Sequence, residues 1–394
     1  MKILVANLGS TSFKYSLFDM NDETVIACGR VERIGEASSP CQVEIRGVKF
    51  EQNVPVPDHA VAVKQCLAQL MDEKTGCLKN ADEVAAIGFK AVHCSGYTGV
   101  QKVDEKLLDA MEELNDLLPA HNPPYVRAMR LLHERLPDMQ LIAAFETGFH
   151  QTIPDRNLYY GVPKLWAEKY DAKRYGFHGA SHRYISERTA QILGRDDLKI
   201  VSCHLGGSSS ICAINAGKSM AASMGATAQS GLFHNNRVGD FDPFLLPHLE
   251  KKLGVTRREL FTQLASKSGM LGLSGVSADI RDVVEAMENG NPDAKLAFEV
   301  FVGDIRKYLG AYIVELGGVD VIVFTAGIGE NQTSVREKTC QGLENIGIVL
   351  DAKINSTVKS REAAVHASNS RTQIWVIPTN EELVVARQTK SMVS

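Results

Sequence analysis

Short apolar blocks broken by small polar residues set the pattern of the chain from its first residues. Ile3-Leu4-Val5-Ala6 is an apolar run, Asn7-Leu8-Gly9-Ser10-Thr11-Ser12 interrupts it, and Lys14-Tyr15-Ser16-Leu17-Phe18 reads as a second strand. Strand, tight turn, strand predicts a β-hairpin and not the strand-to-helix passage of a P-loop. The pattern returns in the second half. Lys199-Ile200-Val201-Ser202-Cys203 leads into His204-Leu205-Gly206-Gly207-Ser208-Ser209-Ser210 and then Ile211-Cys212-Ala213-Ile214. Leu8-Gly9 superimposes on Leu205-Gly206, and each pair is followed by a cluster of small hydroxyl residues. Repetition at half the chain length predicts two related domains facing each other.

Glycine lets backbone approach an anion, successive N–H groups form an anion-binding concavity, and hydroxyls add uncharged donors. Any hairpin can carry Gly and Ser at its turn, and either copy alone would be read that way. Two copies in register favour phosphate binding. A third glycine-rich turn, Thr325-Ala326-Gly327-Ile328-Gly329-Glu330-Asn331, follows the buried strand expected over Val319 to Phe324. A helix is expected over Thr333 to Asn345, so this turn would hold a nucleotide over a helix start.

Composition narrows the setting. A chain of 394 residues exceeds one ordinary core, so two domains are expected. Hydrophobic and charged contents of 44% and 23% are globular values. A net charge of −4 spread over both signs gives no reason to expect nucleic acid or a membrane surface as partner. The N-terminus turns polar too early for a signal peptide, and no apolar run approaches the ~18 residues of a membrane span. Eight cysteines form no CxxC pair, which disfavours a disulfide framework or zinc site and predicts a cytoplasmic protein.

Beyond the two turns, longer motifs appear in a fixed order. They are Asn7-x-Gly9-Ser10-Thr11-Ser12-x-Lys14, His121-Asn122-Pro123-Pro124, Phe149 to Pro154, and Tyr175-Gly176-Phe177-His178-Gly179-Ala180-Ser181-His182. Then come His204-Leu205-Gly206, Gly239-Asp240-Phe241-Asp242-Pro243, Gly272 to Ser277, Ala326 to Asn331, and Pro378-Thr379-Asn380-Glu381-Glu382. In these motifs the chain resembles, almost end to end, the acetate kinases of the actin/hexokinase/Hsp70 superfamily. The resemblance implies an α/β fold of two ribonuclease-H-like domains around a central cleft. Residues 1–150 with 383–394 would form an N-terminal, acid- and phosphate-side domain, and residues 151–382 a nucleotide-binding and dimerisation domain. It implies a homodimer and reversible transfer of the γ-phosphoryl group of ATP to a short-chain carboxylate, giving an acyl phosphate and ADP.

Phosphoryl transfer needs positioning and charge neutralisation more than covalent chemistry. A carboxylate acceptor is already ionised at neutral pH, so no general base is required, and the site should be rich in cations and donors. By resemblance, Arg237 contacts the carboxylate and phosphoryl oxygens and His178 stabilises the group in flight. Lys90 and Glu146 stand at two further catalytic positions. Asn7 and Glu381 would hold magnesium, or manganese in its place, directly or through waters. Lys14, His204, Leu205, Gly206, Gly207 and Ser208 would serve the phosphates of ATP or ADP. Asp279, Ile280 and Arg281, with Gly327, Ile328, Gly329, Glu330 and Asn331, would complete the nucleotide pocket. His121 is assigned to the acid site, with a capping or core histidine as the alternative, and for His182 a structural role stands beside a functional one.

The departures from the family pattern are specific. Lys90 stands where an active-site arginine is usual, and a lysine point charge does not replace a planar fork. Glu146 stands for an aspartate, Gly207-Ser208 for Asn-Gly, and Phe233-His234-Asn235-Asn236 for small and apolar residues before Arg237. The acid pocket, walled in the family by Val, Leu and Pro, reads Val92, Ala120 and Ala228, beside Gln229. Two large-to-small changes predict a wider pocket, suited to an acid larger or more polar than acetate. Lys90, Glu146 and Gly207 also leave open a nucleotide-binding paralogue with lost or altered kinase activity. A kinase acting on an alcohol or sugar, with Glu146 as base, and a donor other than ATP are further alternatives.

Overall fold

The computed structural model describes residues 1–9, 11–118 and 121–393. The chain divides into two compact units, Met1–Gly148 with Asn380–Ser394, and Phe149–Thr379. The last helix starts at Glu381 and packs on first-unit strands.

In the first unit an eight-stranded sheet among the described residues runs in the order β5-β4-β3-β2-β1-β6-β8-β7. Its strands are β1 (Lys2–Leu8), β2 (Phe13–Asp19), β3 (Thr24–Val31), β4 (Ser39–Ile45), β5 (Val48–Val54), β6 (Val84–Ala91), β7 (Val100–Lys102) and β8 (Leu141–Phe145). The first hairpin forms as the sequence predicts, with Leu8 opposite Phe13. β6 runs parallel to β1, and β8 to β6. Period-two alternation gives each strand two faces. Leu4, Ala6, Ile87 and Phe89 join the core under helices His59–Leu70 and Asn122–Arg135. The other face takes the C-terminal helix Glu381–Val393. It lies so close that a Cβ on Gly88 would meet Thr389 Oγ1 at 2.1 Å.

The second unit repeats this plan. Its sheet runs β11-β10-β9-β12-β14-β13, through β9 (Lys199–Leu205), β10 (Ser209–Asn215), β11 (Lys218–Ala222), β12 (Val321–Thr325), β13 (Ala363–Ala364) and β14 (Gln373–Val376). Two antiparallel pairings are followed by two parallel ones, as around β1. The internal repeat in the sequence is therefore a repeat of topology. Val201, Cys203 and Leu205 face the long apolar helix Pro292–Glu315, whereas Ile200 and Cys212 share the opposite face with Ile185 of the helix Gly179–Leu193.

The third glycine-rich segment departs from expectation. Ala326–Asn331 is itself a helical turn, and the helix after it is Thr333–Cys340, ending before Gly342, whose φ of +77° leaves the helical region. No helix among the described residues is long and apolar enough to cross a membrane.

Candidate active site

In open α/β sheets, ligand-binding side chains collect where parallel strands end. β1, β6 and β8 end near Asn7, Lys90 and Glu146. Since Ala6 pairs with Phe89 and Val5 with Gly88, Asn7 and Lys90 continue the face on which the C-terminal helix lies. That helix begins with Glu381, and Lys90 Nζ donates to its carboxylate at 2.5 Å. Burial works against the charge on Lys90. The carboxylates of Glu146 and Glu381 more than offset it and hold the lysine above its ordinary pKa. Asn7 Oδ1 accepts from the Tyr125 hydroxyl at 3.0 Å, and the same hydroxyl accepts from Leu8 N at 3.3 Å. Glu146 is 5% exposed. His121 precedes the helix Asn122–Arg135 without capping it through its side chain, and Val92 is half-buried just past β6. Ala120 lies outside the described residues.

The second unit gathers histidines and serines on one sheet face. Ser210 on β10 pairs with His204 on β9, and Ser202 is two residues back on the same face. His178, at φ +57° and ψ +31°, starts the helix that covers them. Its Nδ1 shares the Ser210 hydroxyl, at 2.8 Å, with His182 Nε2, also at 2.8 Å; His182 Nδ1 meets Ser202 Oγ at 2.9 Å. His204 Nδ1 meets Ser181 Oγ at 2.8 Å, and the His178 and His204 rings stack with centroids 4.1 Å apart. Burial, then the neighbouring His150 and His204, hold His182 well below the usual histidine range, so it is an uncharged link that orients Ser210 and through it His178.

Arg237 sits in a loop closed at its neck. Asp240 N donates to Gly231 O at 2.8 Å, and Gly231 N to Asp240 Oδ1 at 3.0 Å. Gly239, at φ +77°, stands where a Cβ would strike Phe233 N at 2.5 Å, so the Gly-Asp of the motif serves loop geometry. Arg237 Nη1 donates to the Ala228 carbonyl at 2.6 Å, and no carboxylate among the described residues pairs with it. Burial pulls its pKa down to about 10. A half-buried guanidinium held by a carbonyl is a receptor for an anion.

Next to this loop is a cavity of about 570 Å³. Gly206, Gly207, Asp279, Ile280, Arg281, Gly327, Ile328 and Asn331, all expected at the nucleotide, line it. Asp279 caps the helix Ile280–Glu288 through a bond from Arg281 N, and its carboxylate meets Arg281 Nη2 at 2.5 Å. His204, Leu205, Ser208, Gly329 and Glu330 are not in the lining. Strand alternation turns Leu205 into the core and His204 toward the histidines, while Glu330 accepts from Thr379 N at 3.4 Å. Lys14 is exposed and lines a cavity over β2–β5 in the first unit with Arg30, Glu44 and Glu382. Ala278, Asn235 and Gln332, which the sequence did not single out for a nucleotide, also line this cavity. Only Asn235 left a signal, as a departure from the family pattern.

For a metal, the described residues hold no group of three or more His, Cys, Asp or Glu side chains arranged as a cage. Asn7 and Glu381 offer an amide oxygen, which accepts from Tyr125, and a carboxylate oxygen, which accepts from Lys90. Few protein oxygens, with water and phosphate completing the shell, is the donor set that suits magnesium. The residues fit the ion.

Comparison with known proteins gives one answer. Residues 2–387 match the model of the acetokinase family. An acetate kinase of Carboxydothermus hydrogenoformans is 43% identical, over 100% of this chain and 99% of its own. A crystal structure of Porphyromonas gingivalis acetate kinase superposes with a TM-score of 0.91 at 38% identity, covering 100% of both chains. A propionate kinase from Francisella tularensis does so with 0.89 at 31%, covering 98% of both.

Proposed function

The chain belongs to the acetokinase family, and from that premise we propose that it moves the γ-phosphoryl group of ATP reversibly onto a short-chain carboxylate, giving an acyl phosphate and ADP. The observation that carries this is Arg237, a half-buried cation held by the Ala228 carbonyl and paired with no carboxylate among the described residues. It binds the acid and steadies the transferring group. His178, oriented by Ser210, donates to the phosphoryl oxygens in flight. The acceptor is ionised, so Glu146 is not needed as a base; it keeps Lys90 charged, and Lys90 draws the reacting anions. Asn7 and Glu381 would hold magnesium, which would supply charge neutralisation on the phosphates. ATP or ADP occupies the cavity of the second unit.

The acid is larger or more polar than acetate. By the family resemblance Val92, Ala120 and Ala228 stand at the acid-pocket positions, and His121 is assigned to the acid as well. The buried Oε1 of Gln229, which accepts no hydrogen bond among the described residues, supports an acid that brings a donor, such as a hydroxyl. Exposed Phe244 and Val314, 86% and 79% accessible, support pairing of two copies through the second unit. Eight free thiols support a reducing cytoplasmic setting.

Hydroxamate trapping with ATP and magnesium over acetate, propionate, branched and hydroxylated acids tests the reaction. An acyl phosphate from at least one acid, lost on Arg237→Ala, is expected. No product above background from any acid would refute the reaction.

A further inference from the structure

The nucleotide cavity contains a side chain with no assigned task. Asn235 lines it opposite the glycine turn of the second hairpin. Two bonds clamp its loop to that turn: Asn235 N donates to Gly207 O, and Ser209 N to His234 Nδ1, both at 3.0 Å. The side-chain amide is oriented as well. Its Oδ1 accepts from Asn236 N at 2.9 Å, which turns Nδ2 the other way, and no acceptor among the described residues takes that N–H₂.

Nδ2 is aimed at the place where residue 207 would carry a side chain. A Cβ built on Gly207 would lie 3.4 Å from Asn235 Nδ2 and 3.7 Å from its Cγ. Around that point the N–H groups of Gly207 and Ser208 also donate to no acceptor among the described residues, whereas Gly206 N is taken by Ser209 Oγ at 3.2 Å. Gly207, which lines the cavity with Asn235, and its neighbour Ser208 thus leave two backbone donors open beside one amide donor, with no acidic side chain among them. Such a set is complementary to the oxygens of a phosphate.

We propose that Asn235 is a phosphate-binding residue of the nucleotide cavity, and that position 207 is glycine to leave room for its amide. The sequence carries the two halves of this exchange: an amide missing at 207 and one gained at 235. The ligand chemistry is the polyphosphate of a nucleoside di- or triphosphate. The inference rests on the nucleotide assignment of the cavity and adds a residue to it.

Calorimetric titration of the full-length protein with magnesium-ADP, with adenosine as a phosphate-free control, tests it. Asn235→Ala should weaken ADP binding roughly tenfold, the usual effect of losing a hydrogen bond to a charged group. Asn235→Asp keeps the acceptor for Asn236 N but turns an oxygen toward the phosphate, and should weaken it further. Gly207→Asn alone crowds Asn235 and should also lose affinity. Gly207→Asn combined with Asn235→Gly moves the amide back to the turn and should bind within about threefold of the wild type. Adenosine affinity should be unchanged by Asn235→Ala. If the wild type takes up no ADP, the nucleotide assignment falls, and this inference with it. If the wild type binds ADP and Asn235→Ala and Asn235→Asp bind it equally well, the role of Asn235 alone is overturned. A double variant no better than the worse single one also overturns it.

Discussion

Lys90 and Glu381, 291 residues apart, meet in a hydrogen-bonded ion pair at 2.5 Å, and Glu146 adds a second negative field at the same ammonium. One cation thus answers to two carboxylates. Lys90→Met should leave both without a counter-charge and cost roughly 2 kcal/mol of stability, with kcat/KM falling at least 100-fold. Lys90→Arg alone places a larger fork against the longer Glu146 and should be impaired. Lys90→Arg with Glu146→Asp should recover much of the activity. Equal activity of the single and double variants in a coupled ADP-release assay would show that the two residues do not act as a pair.

Gly88 transmits packing to this pair. Gly88→Ala forces a methyl against Thr389 Oγ1, and overpacking of this kind costs ~1–3 kcal/mol. The helix would yield, carrying Glu381 away from Lys90. A lower urea midpoint and a lower kcat are expected together, partly restored by Thr389→Ala. A stable but inactive variant would separate packing from catalysis.

The loop neck at Asp240 should matter for rate. Asp240→Ala removes the bond from Gly231 N and that from the Tyr308 hydroxyl, 3.0 and 2.5 Å long. Arg237 is then less well placed, and a 10- to 100-fold loss in kcat is expected with a stability change of about 1–2 kcal/mol. Unchanged kcat would mean that Asp240 does not position Arg237.

Buried histidines make stability depend on pH. Burial lowers His150 to about 4 and His234 to about 3, with Arg237 adding to the latter. Both are neutral in the folded protein, while the unfolded chain takes up protons near 6.5. Their contribution is complete above about 6.5, declines as pH falls through that value, and stops declining below the folded values near 4 and 3. Each is worth roughly 3–5 kcal/mol at most. His150→Gln should reduce the pH slope of the urea midpoint between pH 6 and 5 by about one proton, near 1.4 kcal/mol per unit. An unaltered slope would exclude His150 from the effect.

What the sequence disclosed was local. Both hairpins, their glycine turns and the repeat they form could be read because strand periodicity and turn chemistry act between neighbouring residues. The glycine turns at Gly206 and Gly327, which line the second-unit cavity, were legible for the same reason, whereas Asp279 came from the family resemblance alone. The segment after Phe324 was expected as a turn because Gly327 and Gly329 suggest one; it forms the helical turn Ala326–Asn331 instead. Lys90 with Glu381, and Gly207 with Asn235, escaped because each is a meeting of distant segments that only packing creates. Lys90, Gly207 and Asn235 appeared in the sequence as isolated departures and Glu381 as a separate match to the family, and the structure pairs them.

The C-terminal helix has a consequence for how the chain is made. Its strands in the first unit leave the ribosome early, yet the helix that covers Gly88 and supplies Glu381 is synthesised last, after the whole of the second unit. Until then the apolar face around Val5 and Gly88 lacks its cover, and such a nascent intermediate is a natural client for chaperones. Contacts of this sequence separation also slow folding, since a long loop must close before they form. The ion pair of Lys90 therefore forms only after the second unit has been made, so that a chain terminated before Glu381 has β1 and β6 but leaves Lys90 without that partner.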